Sequence, residues 1–320
     1  MNKNYLFSFL VVAVLLSANA NAQQLARRTQ FATNTFMVNP GAAGTTSYAP
    51  IYASYRNQWT GFKNAPSTIL LTGHTSFSKG FAGGVKAYRD DTGGAISRTG
   101  VELTGAYSAK LTQDDAVSFG LSVGGNQLVF DNSTLVVYDQ NDAALNNFQK
   151  EVSMNLTTAF GMLVYGKQYY FGFSIPNLAQ TKLGLQTSVD PGDNLNVRHF
   201  QLMGSYRYYI NDVLDLQPSA FMRFTGNTPV QTDVNIRLNY LEKAFGGITL
   251  RYKDAIGVMA GGTFKNFALI YSYDFTTGEA KPFSPHTHEV TVGYLIPSKR
   301  GLFKANNLGG RMLDRSRVVN

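Results

Sequence analysis

Along most of this chain polar and apolar residues alternate one by one. Val152, Met154, Leu156, Thr158, Phe160, Met162 and Val164 are mostly apolar, while the interleaved Ser153, Asn155, Thr157, Ala159 and Gly161 are small or polar. The same period runs through Val101, Leu103, Gly105, Tyr107 and Ala109 against Glu102, Thr104, Ala106, Ser108 and Lys110. It returns at Val234, Ile236, Leu238 and Tyr240 against Asp233, Asn235, Arg237 and Asn239. Successive side chains of an extended strand point to opposite faces, so the pattern predicts strands with one greasy and one wet face. Many of these runs reach about ten residues or more, longer than the roughly 5 to 6 residues of an ordinary soluble strand and the length needed to cross a bilayer at a tilt.

Counting runs between residues 48 and 297 gives about fourteen strands, an even number. Every second connection is very short: Ser78-Lys79, Thr112 to Asp114, Gly166-Lys167, Asn211-Asp212, Leu241-Glu242 and Lys265-Asn266. The intervening ones are mostly longer, including Asp131 to Gln149, Asn177 to Leu195 and Thr277 to His286. Short turns at one end and long loops at the other predict an all-β, transmembrane antiparallel outer-membrane barrel, with periplasmic turns, external loops and both termini periplasmic. The sheet must close, because an open edge in lipid leaves backbone donors unpaired. Aromatic residues near strand ends fit a membrane-interface girdle: Tyr48, Tyr52, Tyr169, Tyr170, Tyr206, Tyr208, Tyr209, Tyr240, Tyr252, Tyr271 and Tyr273.

Residues 1–22 read as a secretory signal peptide, with Lys3, an apolar run from Leu6 to Leu16 and an Ala20-Asn21-Ala22 cleavage box. Residues 23–47 follow as an N-terminal periplasmic segment, either a short plug in the barrel mouth or a disordered leader, then the barrel over 48–297 and a basic tail over 298–320. Pro40, Gly41 and Gly44 interrupt the chain after the apolar Phe31, Phe36 and Met37.

Composition removes several classes of chemistry. With no cysteine, the chain has no thiol nucleophile, disulfide or thiolate-bound metal. Its four histidines, His74, His199, His286 and His288, offer no base beside a nucleophile, so no enzyme and no cofactor is expected. His286 and His288 with the adjacent Glu289 could hold a metal weakly, or simply mark a loop entering a strand. The formal net charge of +8 is spread along the chain and by itself points to no acidic partner; no nucleic-acid binding is expected. Charged residues on the wet face belong in a lumen, since Arg or Lys facing lipid at mid-membrane costs about 2–4 kcal/mol. They are Arg56, Lys86, Lys110, Arg207, Arg223, Arg237 and Arg251 against Glu102, Asp215, Asp233 and Asp274, a mixture that suits a filled, salt-bridged interior better than an open channel.

A resemblance sharpens the reading. Asn39-Pro40-Gly41-Ala42-Ala43-Gly44, Tyr55-Arg56-Asn57-Gln58-Trp59 and Ala65-Pro66-Ser67-Thr68 resemble the N-terminal signature of the PorP/SprF family of outer-membrane proteins. Ser97-Arg98-Thr99-Gly100, Phe119-Gly120-Leu121-Ser122 and Gly172-Phe173-Ser174-Ile175-Pro176-Asn177-Leu178 resemble its later blocks, in the same order. One departure is Gly41, where a larger residue is expected after Asn-Pro. The resemblance implies a component of the type IX secretion and gliding-motility apparatus, associated with periplasmic lipoproteins or with retention of secreted surface proteins. A passive diffusion porin is the alternative. Candidate partner-binding residues are Trp59, which an interfacial anchor would equally explain, and Lys299, Arg300, Phe303, Lys304, Arg311, Arg315 and Arg317 of the basic tail. That tail also suits a solvated, disordered segment.

Overall fold

Fourteen antiparallel strands close on themselves in a computed structural model that describes residues 28–61, 64–78, 80–131, 150–182, 196–226, 228–241, 243–278, 281 and 286–297. The strands are β1 (Tyr48–Asn57), β2 (Ser67–Ser78), β3 (Phe81–Thr92), β4 (Ile96–Lys110), β5 (Ala116–Asp131), β6 (Lys150–Tyr165) and β7 (Tyr169–Pro176). They continue as β8 (Phe200–Tyr206), β9 (Leu214–Thr225), β10 (Thr228–Tyr240), β11 (Ala244–Arg251), β12 (Ala255–Phe264), β13 (Phe267–Thr276) and β14 (His286–Pro297). Strand β8 is interrupted at Arg207, whose N–H bonds to the Gln168 carbonyl opposite it at 2.6 Å, and resumes as Tyr208–Tyr209 beside β9. Each strand pairs with its sequence neighbour, and β14 returns to β1 in a register from Tyr48↔Pro297 to Asn57↔His288. No edge is left in the ring, which is what lipid demands of a sheet.

Alternation along each strand sorts residues between two faces. Leu103, Met154 and Ile248 are 66%, 76% and 60% exposed, while their neighbours Thr104, Asn155 and Thr249 are buried. A continuous outer band of large apolar side chains is far more than a soluble surface carries, and hydrocarbon is the solvent that suits it. The inner face is lined by hydroxyls, amides and charges, including Ser54, Thr72, Ser122, Asn126, Gln217 and Asn235.

The same alternation corrects part of the expected girdle. Tyr206, Tyr208, Tyr240, Tyr252 and Tyr271 face outward, but Tyr48, Tyr52 and Tyr170 are 2%, 6% and 3% exposed and point inward. The cause is parity: Tyr48 and Tyr52 share their face of β1 with Ser54 and Arg56, so a register that turns the arginine inward turns both tyrosines with it.

Residues 28–47 lie inside the barrel. They form two 3-10 turns, Thr35–Met37 and Pro40–Ala42, and no α-helix occurs among the described residues. An apolar core joins this plug to one side of the wall, where Phe31, Phe36, Ala42 and Ala43 meet Ala82, Leu163, Tyr165, Tyr170, Met203 and Phe221. The Phe31 and Phe221 rings stand 5.3 Å apart. The plug begins at the end of the barrel that carries the long connections and joins β1 at the tight-turn end, so Arg28 and Pro297 sit at opposite ends.

Candidate functional site

The plugged lumen concentrates the polar chemistry of this chain. The densest polar network, near the long-connection end, surrounds Thr29, which is fully buried. Its Oγ1 donates to Asp274 Oδ2 at 2.7 Å and accepts from Arg56 Nη1 at 2.9 Å and Arg251 Nη2 at 3.2 Å. Its backbone N–H donates to Glu289 Oε2 at 3.0 Å. Around it Arg56 forms ion pairs with Asp274 and Glu289, both at 3.0 Å, and Arg251 reaches Asp233, Asp254 and Asp274 at 3.3, 3.1 and 3.4 Å. Five strands and the plug therefore meet in one network. Removing a partner from such a buried pair leaves an uncompensated charge, at a cost of about 3–5 kcal/mol.

Further contacts hold the plug along its length. Gln30 Nε2 donates to the Glu289 carbonyl at 3.1 Å, and Asn34 Nδ2 to Thr72 Oγ1 at 2.8 Å. Asn39 lies in a niche of the wall: its Nδ2 donates to the Met162 carbonyl at 3.0 Å, and its Oδ1 accepts the Gly41 N–H at 2.8 Å. The niche exists because the wall has glycines there. A Cβ on Gly161 would overlap Asn39 Oδ1, and one on Gly120 would overlap the Pro40 carbonyl. Gly41 itself is pressed against the backbone of Gly161, which accounts for a small residue after Asn39-Pro40. Gly44 takes φ +71°, a left-handed value suited to glycine, and donates its N–H to His74 Nδ1 at 3.1 Å.

The other inward charges pair more locally. Lys86 meets Glu102 at 2.8 Å and Arg207 meets Asp215 at 3.3 Å. Arg237 donates to Gln217 and lies 4.9 Å from the Phe245 ring, and Arg223 lies 5.4 Å from Phe221. Lys110 is exposed at the tight-turn end of β4. Above the plug, at the long-connection end, an open vestibule is lined by Arg28, Phe36, Lys86, Tyr88, Arg98 and Arg223, among others. Beside it His199 is held neutral, because burial and then the Arg223 and Arg98 charges push its pKa down to about 4.

Trp59 lies in the connection after β1, half-buried with φ +58°, its N–H donating to Thr287 Oγ1 at 3.1 Å. The imagined metal cluster does not assemble. His288 turns outward to the Tyr271 hydroxyl at 2.8 Å and His286 to that of Tyr273, whereas Glu289, of opposite parity, turns inward to Arg56. No group of metal-ligating side chains occurs among the described residues. Lys299, Arg300, Phe303, Lys304, Arg311, Arg315 and Arg317, and the signal segment 1–22, lie outside the described residues.

Sequence reasoning overlooked Thr29, Gln30 and Asn34, and took Glu289 only as a neighbour of His286 and His288, not as a lumen charge. A signal was present in Thr29-Gln30-Phe31 and Thr33-Asn34-Thr35-Phe36: uncharged hydrogen-bonding side chains interleaved with aromatics suit burial against a polar wall.

The architecture agrees with comparison to known proteins. A family model described as type IX secretion system membrane protein PorP/SprF matches residues 20–294. The chain belongs to the PorP/SprF family. No curated protein matches it. Among solved structures, the PorP/SprF chain is similar to the Ralstonia pickettii toluene transporter TbuX, at 10% identity and a TM-score of 0.52 over 83% of this chain and 94% of that one. It is also similar to the CymD monoaromatic hydrocarbon channel, at 10% identity and a TM-score of 0.51 over 85% and 94%. At that identity the likeness is one of fold, an outer-membrane barrel. The PorP/SprF sequence blocks map onto the plug contacts: Asn39 to Gly44 is the wall-docked turn, Arg56 belongs to the Thr29 network, and Gly120 and Gly172 form the Asn39-Pro40 niche.

Proposed function

We propose that this protein acts in the outer membrane as a closed, non-enzymatic scaffold or adaptor of the type IX secretion system, contacting periplasmic lipoprotein partners and serving secretion or surface attachment of client proteins. The observation that carries this reading is the plug. Thr29, Phe31, Asn39 and Ala43 are at most 1% exposed, so residues 28–47 are packed into the lumen and take up space that a solute path would need. A barrel that does not conduct is useful for the surfaces it presents. Membership in a family of secretion-system membrane proteins supports the same role.

The test is conductance combined with co-purification. Purified protein in planar bilayers is expected to be silent, and a variant lacking residues 28–46 to conduct. Affinity purification from detergent-solubilised envelopes is expected to bring down secretion-system components. Steady open-channel conductance from the intact protein, equal to that of the deletion, would return the reading to a diffusion porin.

A further inference from the structure

The direction in which the plug is threaded has a topological consequence. At the N-terminal end of the plug, Thr29 bonds to Arg56 and Arg251, the penultimate residue of β1 and the last of β11, and both positions lie at the long-connection end. Arg28 lines the vestibule that opens at that same end. Midway, Asn34 reaches Thr72, and Asn39 is held between β6 and β7. At the C-terminal end Gly44 bonds to His74, and Thr46 Oγ1 donates to the Tyr48 carbonyl at 2.7 Å where β1 begins among the tight turns. The segment crosses the barrel once.

We propose that the chain preceding Arg28 leaves the barrel at the long-connection end, so that the N-terminal and C-terminal extensions lie on opposite sides of the membrane. This proposal departs from the expectation that both termini are periplasmic. If the leader is removed after Ala22, five residues remain before Arg28, and they span at most about 17 Å when fully extended. The apolar band of a barrel is about 25 Å tall. Five residues therefore cannot return to the tight-turn end, and the path back through the lumen is filled by Thr29, Phe31 and Ala43. The N-terminus becomes part of the face formed by the long loops. It sits beside the vestibule, where Arg28, Lys86, Arg98 and Arg223 outnumber Asp90 and Glu102.

The absence of cysteine makes the test clean. Single cysteines are introduced as Gln24→Cys, as Asn141→Cys in the connection after β5, and as Asp114→Cys in the tight turn after β4. Each is labelled with a membrane-impermeant maleimide on intact and on permeabilised cells, using only variants whose unboiled gel mobility reports a closed barrel. Gln24→Cys is expected to label under the same condition as Asn141→Cys and to differ from Asp114→Cys. The comparison is internal, so it holds whichever end faces outward. An epitope inserted after Gln23 and read by antibody supplies a second measurement. Labelling of Gln24→Cys that follows Asp114→Cys would overturn the proposal, and it would do so without touching the scaffold reading, which the conductance test decides.

Discussion

At the scale of single residues, one hydroxyl ties the plug to the wall. Thr29→Val keeps the shape of the side chain but removes a donor and acceptor shared by Arg56, Arg251 and Asp274. Those three still reach one another, so the expected loss is about 1–3 kcal/mol, the cost of leaving a buried polar group short of a partner. Arg56→Ala removes the ion-pair partner of Glu289 and leaves Asp274 paired with Arg251 alone, and is expected to cost about 3–5 kcal/mol. Urea unfolding of the two variants in lipid vesicles measures both; equal, negligible losses would mean the network does not hold the plug. Gly161→Ala places a methyl group where Asn39 Oδ1 now sits. The expected outcome is a barrel that still closes but whose plug is cut readily by added protease, and protection equal to wild type would count against the niche.

At the scale of elements, the strands were legible because a period of two is written in every side chain. In β4 the outward Leu103 is 66% exposed while Thr104 is buried. Leu103→Arg is therefore expected to destabilise the inserted barrel by about 2–4 kcal/mol, whereas Leu103→Phe leaves it close to wild type. Equilibrium unfolding in lipid distinguishes them, and an arginine that costs nothing would place this face out of hydrocarbon. Parity also explains the misread tyrosines. Strand-end aromatics suggest a girdle only when their face is known, and in β1 the face is set by Arg56, which the Thr29 network draws inward. The interruption of β8 at Arg207 was not legible: the residue keeps an inward side chain for Asp215, and its N–H bonds to Gln168, which lies opposite it in the β7–β8 register.

At the scale of the whole molecule, the barrel and its plug form one unit, with Arg28 and Pro297 at opposite ends. The basic tail after Pro297 begins at the tight-turn end. It carries Lys299, Arg300, Lys304, Arg311, Arg315 and Arg317 against Asp314, with Leu302, Phe303, Leu308 and Met312 as apolar anchors. Opposite charge steers encounter and apolar anchors supply contact area. Deleting residues 301–320 is expected to leave insertion and heat-modifiable migration unchanged while abolishing secretion or surface display of client proteins. A truncated protein that supports normal secretion would remove the tail from the partner-binding surface.

The sequence by itself determined the class of fold, the near-complete strand inventory, the face of most residues and the family, because each depends on neighbours in the chain: alternation, turn length and short motifs. The placement of residues 28–47 was decided only by the tertiary structure. Thr29 meets partners 245 and 260 positions away, and nothing local to Thr29-Gln30 or Glu289 announces that pairing. The ring brings β1, β11, β13 and β14 into contact with the start of the chain. Closure gathers the inward charges, which the sequence already suited to a filled, salt-bridged interior, around the plug, since a buried charge is tolerated only where the fold brings it a counter-charge.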